Sequence, residues 1–226
     1  MTTVQELLTL LPVAYLMGSV PFGLIVGLAK GVDPRKAGSG NIGATNVGRL
    51  LGGKFFGIVF TLDFLKGLIP ALVASWRVHQ PKTDAGTTIF LLWLAVGFAT
   101  ILGHMFSAFL KFKGGKGVAT SAGVMVGIFP DYTLAAAVVV LIWGISFGIT
   151  RIVSLSSMLG AVAFPFVYVA ACLLRGQPIL GDRWPLLAFA VLVAVMVVVK
   201  HRGNIARLRA GTEPRMVRGE KAKAAA

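Results

Sequence analysis

The chain has 226 residues, 56% of them hydrophobic and 13% charged, and 22 Lys and Arg against 8 Asp and Glu give a net charge of +14. Soluble domains carry about 25% charged residues, so this composition, with a mean hydropathy of +0.83, excludes a soluble globular domain and places the chain in a bilayer. The single cysteine, Cys172, lies in an apolar run, which excludes a disulfide framework and a cysteine metal site.

The apolar runs are continuous rather than alternating, so they read as helices and not as strands of a β-barrel. Several approach the ~20 residues that span a bilayer. Seven spans are expected, at about 4–29, 55–76, 88–110, 117–130, 132–150, 153–174 and 185–200. The first has no basic stretch before it and outlasts a signal-peptide core, so it reads as a span and not a cleaved leader. Its Gly23, Gly27 and Gly31 recur every four residues and predict close helix packing.

A polar segment follows, "GVDPRKAGSGNIGATNVGRLLGG". Its glycines permit close backbone approach. Ser39, Asn41, Thr45, Asn46 and Arg49 add neutral donors and a guanidinium fork suited to phosphate. Asp63 and Lys66 then lie one turn apart inside the second span, where charges pair or serve function; a pair bracing the first loop is expected. His104 closes the third span and reads as a structural donor or a base.

The second polar segment is "FKGGKGVATSAG". It is not a nucleotide P-loop, since Leu110 and Gly117 stand where that pattern needs Gly and Ser or Thr. Gly114, Gly115 and Gly117 still precede a helix, whose free N–H groups and positive dipole end suit an anion. Lys116 adds a point charge. The fourth span, "GVATSAGVMVGIFP", is short and either stands alone or merges with the fifth. Ser154 lies at the turn after the fifth span. The last segment, "KHRGNIARLRAGTEPR", follows the seventh. Its His201, Asn204 and Arg207 are spaced to share one helical face.

Charge decides the topology. Lys and Arg concentrate on the cytoplasmic side of a membrane protein. Seven spans put the basic clusters around 30–54, 111–116, Arg151 and the tail on one face, and leave Arg77, Lys82, Arg175 and Arg183 on the other. The expectation is therefore an all-α, polytopic membrane bundle of seven helices, one short. Its N-terminus is outside and its C-terminus cytoplasmic. Residues 1–226 form one membrane-embedded domain, with 201–226 a basic tail. The net charge is that of a cytoplasmic face near anionic lipid, so no nucleic-acid partner is expected. Three donor-rich segments then meet on one face as a site for phosphorylated molecules. Asp33 and Glu213 are their only acids, which argues against a metal site. A transporter for an anionic solute would use similar donors, but it is expected to show internal repeats and a midplane site. Neither is visible.

In order and spacing, "GSGNIGATNVGR", "GHMFSAFLKFKGGKGVAT" and "HRGNIARLRAGTEPR" resemble the bacterial acyl-phosphate:glycerol-3-phosphate acyltransferase family, over essentially the whole chain. These are integral membrane enzymes of the first step of phospholipid synthesis. One departure is Ser107, where the family pattern leads to an expected proline. The resemblance implies a bacterial plasma-membrane enzyme with a cytoplasmic site. It would move an acyl group from acyl phosphate to the 1-hydroxyl of glycerol 3-phosphate, giving lysophosphatidic acid and inorganic phosphate. By motif position it assigns phosphate binding and catalysis to Ser39, Arg49, Lys116, His201 and Asn204, with Ser154 beside them. Acyl phosphate is already activated, so no cofactor and no covalent nucleophile are called for. In this reading Arg49, Lys116 and Ser39 grip phosphate, the glycine backbone after Lys113 cradles acyl phosphate, and Asn204 with His201 orients glycerol 3-phosphate. The base is His201, His104 or a substrate phosphate.

Overall fold

A computed structural model describes residues 2–81, 83 and 86–216, and those residues form helices and connecting loops. Lys82 and residues 217–226 of the expected basic tail lie outside the described residues. Among the described residues, six spans are long and apolar enough to cross a membrane, and one shorter apolar helix accompanies them.

The first span is two helices, α1 (Thr3–Ser19) and α2 (Phe22–Leu28), and not the continuous one expected. Pro21 lacks an N–H and ends the ladder. The Val20 carbonyl freed at this break accepts a hydrogen bond from Lys66 Nζ at 2.7 Å. Amphipathic α3 (Ala44–Leu51) leads into the long α4 (Gly53–Val78), followed by α5 (Thr87–Met105). The short apolar helix is α6 (Val118–Gly127), ten residues long, or about 15 Å at 1.5 Å per residue. It begins inside the bundle. The chain after it continues to the far end, where Asp131 meets His79 and Arg183. The fourth apolar segment is thus a short helix followed by irregular chain, in which Ile128, Asp131 and Tyr132 are buried while Phe129 stays exposed. Helices α7 (Thr133–Thr150), α8 (Val153–Leu174) and α9 (Trp184–Lys200) complete the bundle, and α10 (Arg202–Arg209) follows it. Val140, Leu141 and Ile149 of α7 and Phe166 of α8 stay exposed, as lipid-facing side chains do.

Small residues let the central helices touch. A Cβ on Gly67 of α4 would strike the Thr120 carbonyl of α6, and one on Gly123 would strike the Phe64 carbonyl. Trp93 Nε1 donates to Ser75 Oγ at 3.0 Å, and Ser75 Oγ donates to the Gly127 carbonyl at 2.5 Å, so α4, α5 and α6 are tied together. Gly23 faces Val59 of α4, in keeping with the close packing expected, and the missing side chains of Gly23 and Gly27 also admit the Ile42 carbonyl, the Val32 carbonyl and the Pro34 ring of the first polar segment.

The contacts fix which segments share an end. Glu6–Arg77, Thr87–Asp182 and His79–Asp131 lie at one end with the start of α1. Arg151, Lys116, Asn204 and Met216 meet at the other.

Candidate functional site

The three polar segments come together at this second end, around a cavity with about 790 Å³ of space, open solvent included. The first segment is organised from within by Asn46, which is buried. Its Oδ1 accepts the Ser39 N–H at 2.8 Å, and its Nδ2 donates to the carbonyls of Pro34, Ala37 and Asn41. Asn46 was expected among the phosphate donors; its amide is instead occupied in holding the loop. Asn41 Oδ1 accepts the Gly43 N–H at 2.8 Å in a short turn. Ser39, Asn41, Thr45 and Arg49 line the cavity, and Asn46 reaches its wall as well. Arg49 also reaches the Pro214 carbonyl at 3.2 Å, which ties the first segment to the third. Burial lowers the Arg49 pKa from its ordinary value.

The second segment folds back onto the end of α5. Gly115 N–H donates to the His104 carbonyl at 3.1 Å, so it is not free for an anion as the sequence suggested. A Cβ on Gly114 would meet that carbonyl, and one on Gly115 would meet His104 Nε2. These glycines are there for close approach. Gly117 adopts φ +81° and caps α6. It lines the cavity with Lys116, Val118 and Ala119. The first turn of α6, with its unpaired N–H groups and positive dipole end, therefore opens on the cavity beside the Lys116 ammonium. Burial pushes the Lys116 ammonium down to about 8, against the pull of Glu213. Ser107, at the expected proline, has φ −63°, the value a proline ring fixes. Its hydroxyl donates to the Ser19 carbonyl at 2.6 Å and pins α1 to this loop.

The third segment turns at His201 and is not one continuous helix with α9. Its central residue is Glu213, an acid whose role the sequence did not reveal. Glu213 Oε1 accepts from Ser154 Oγ (2.7 Å) and Asn204 Nδ2 (2.6 Å), and Oε2 accepts from Arg207 Nε (2.7 Å). Burial pushes the Glu213 carboxyl up, but these three donors and the Arg207 charge outweigh it and hold it below its ordinary value. Ser154 and Arg207, expected to bind phosphate, thus bind Glu213; Ser154 still lines the cavity. Asn204 is left with Oδ1, which accepts from Lys116 Nζ. A lone acid in a basic segment was the available signal for this hub.

His201 is buried, and its Nδ1 lies 2.7 Å from the Val197 carbonyl. A carbonyl only accepts, so Nδ1 carries the proton and Nε2 keeps its lone pair. Burial drives the imidazole down to about 4. The ordinary value is ~6.5, so the folded chain resists the proton that the unfolded chain accepts. This group therefore costs no stability above about pH 6.5, and stability declines as pH falls from there towards 4. Replacing His201 with Gln is expected to flatten that decline, read from unfolding midpoints between pH 4 and 7.

Asp63 and His104 also line the cavity, and Asp63 Oδ1 lies 2.8 Å from Lys66 Nζ and 3.6 Å from His104 Nδ1, all three side chains being buried. The expected pair forms, with the histidine added. Beside the cavity runs an apolar groove of about 1060 Å³, open surroundings included, and Met125, Val140, Gly160 and Phe164 are among its walls.

An integral membrane helical fold with a donor-lined cavity set against an apolar groove defines the class, and the comparisons place it more narrowly. A family model described as glycerol-3-phosphate acyltransferase matches residues 8–211. A glycerol-3-phosphate acyltransferase of Geobacter sulfurreducens is 47% identical over 210 residues, 92% of this chain and 96% of that one. One from Geotalea daltonii is 44% identical over 201 residues, 88% and 92% of the two chains. Among solved structures, PlsY, an integral membrane glycerol 3-phosphate acyltransferase, superposes in its glycerol 3-phosphate form with a TM-score of 0.78 and 38% identity, covering 94% of this chain and 96% of that one. Its lysophosphatidic acid form gives 0.75 over the same shares. The chain belongs to the glycerol-3-phosphate acyltransferase family.

Proposed function

We propose that this protein transfers a fatty acyl group from acyl phosphate to the 1-hydroxyl of glycerol 3-phosphate, releasing lysophosphatidic acid and inorganic phosphate. The observation that carries this reading is the cavity lined by cationic and amide donors, which shares a wall with an apolar groove. An acyl phosphate has the same two-part character. Its phosphate belongs with Lys116, Arg49, Ser39 and the first turn of α6, and its chain belongs in the groove. Glycerol 3-phosphate enters from the polar side, against His201 and Asn204.

Holding hydroxyl and carbonyl within about 3–3.5 Å supplies much of the rate. Fixed donors then stabilise the charge that develops on the carbonyl oxygen and the leaving phosphate. His201 Nε2, neutral and unprotonated, can accept the hydroxyl proton. A substrate phosphate, with a second pKa near ~6, can do so in its place. His104 belongs to the support of the glycine loop. We place the whole chain as one membrane-embedded domain in the bacterial plasma membrane, with the site on the cytoplasmic face where the basic segments gather.

The test is turnover by the detergent-purified chain offered acyl phosphate, acyl-CoA or an acyl carrier protein thioester, each with glycerol 3-phosphate. Product is expected from acyl phosphate alone. Equal or better use of a thioester overturns the donor assignment. The alkaline limb gives a second check. Lys116 loses its charge above about pH 8, so kcat/KM is expected to fall there more steeply than kcat, because bound phosphate holds the proton on.

A further inference from the structure

The polar cavity and the apolar groove share five lining side chains: Phe56, Phe60, Val118, Trp143 and Ser157. Ser157 is the one hydroxyl among them. It is buried at 4% exposure. Its oxygen accepts a hydrogen bond from Trp143 Nε1 at 3.3 Å, and no acceptor for its own proton is present among the described residues. A buried donor without a partner is costly and rare. This one faces the boundary between the two spaces.

Helix α8 explains the placement. Residues three and four apart share a helix face. Ser154 lines the cavity and donates to Glu213. Ser157 stands one turn further on, and Gly160 and Phe164 continue the same face into the groove. Along this face the environment changes from carboxylate and amide to hydrocarbon within three turns. A substrate with its phosphate in the cavity and its chain in the groove must put its carbonyl at the level of Ser157, because the carbonyl carbon joins the two parts.

We propose that Ser157 is a catalytic residue whose hydroxyl donates to the acyl carbonyl oxygen and stabilises the oxyanion of the transition state. The inference rests on the acyl-phosphate reading above. The hydroxyl oxygen of glycerol 3-phosphate adds to the carbonyl carbon, and the carbonyl π pair moves onto the oxygen facing Ser157. Collapse restores the C=O bond and breaks the bond to the phosphate oxygen, which leaves with the electron pair. The proton of the attacking hydroxyl ends on the released phosphate, directly or through His201. Ser157 keeps its own proton throughout. Trp143 is a positioning residue: its N–H occupies one lone pair of Ser157 and turns the hydroxyl proton away.

The test uses the full-length purified chain with acyl phosphate and glycerol 3-phosphate. Removing an oxyanion donor lowers kcat about 10²-fold, so Ser157→Ala is expected to do so with the KM for glycerol 3-phosphate held within about three-fold. Trp143→Phe keeps the donor and is expected to lose less than about ten-fold. Equal losses in the two variants would mean that Ser157 only supports Trp143, and would overturn the proposal. Isotope-edited infrared spectra of a bound, carbonyl-labelled acyl phosphonate give an independent reading. The carbonyl stretch is expected at lower frequency in the unmodified protein than in Ser157→Ala, and identical frequencies overturn the proposal. So does a large kcat loss in Ser121→Ala without one in Ser157→Ala, since Ser121 is the other hydroxyl lining the groove. If the unmodified protein turns over and Ser157→Ala matches it, this inference alone fails. If the unmodified protein has no turnover with acyl phosphate, the proposed function fails, and this inference with it.

Discussion

Lys116→Ala is expected to lower kcat/KM by about 10²–10³-fold, the size of effect seen when one preorganised donor to developing charge is removed. The ammonium sits at the junction of all three segments. It follows the glycine turn, precedes α6 and holds Asn204 Oδ1. Its removal takes the point charge from the cavity and frees Asn204 to rotate away from where glycerol 3-phosphate would lie. Lys116→Arg is not expected to rescue, because a planar fork on a longer stem does not replace a compact ammonium. Thermal unfolding of both variants should stay close to that of the parent, since Lys116 forms no ion pair at contact distance among the described residues. A stable Lys116→Ala protein with near-parental kcat/KM would remove Lys116 from the site.

Asp63→Ala is expected to cause the largest loss of stability, about 3–5 kcal/mol, the cost of leaving a buried charge without its partner. Lys66 and Asp63 side chains are 2% and 4% exposed. Lys66 also satisfies the Val20 carbonyl at the break between α1 and α2, so its loss of position reaches the first span. Replacing both residues together, Asp63→Leu with Lys66→Met, is expected to recover much of the loss, because an apolar pair often equals a buried ion pair. Denaturation of the two variants in one detergent measures this. A single Asp63→Ala change with parental stability would show that the pair does not brace the bundle.

The spans, the shortness of the fourth one and the meeting of three segments were legible in the sequence because they rest on local hydropathy and charge. The break at Val20 and Pro21 was signalled by the proline, yet the apolar run through it hid the end of the helix. Other features depend on side chains that meet only after folding. Asn46 looks like an open donor until its four backbone partners are in place. Gly115 looks like a free N–H until α5 ends beside it. Glu213 looks like one acid in a basic tail, and its importance comes from Ser154 on α8, 59 positions away. Ser157 carries no local signal, since its position between polar and apolar space exists only once α4, α6, α7 and α8 are packed.

The central claim is that one cavity joins two phosphate substrates and passes an acyl group between them. Its most direct measurement is product stoichiometry. Purified protein given acyl phosphate and glycerol 3-phosphate should release one inorganic phosphate for each lysophosphatidic acid formed, and Lys116→Ala should lose both together. Phosphate release without lysophosphatidic acid, or passage of glycerol 3-phosphate into liposomes with no chemistry, would contradict it.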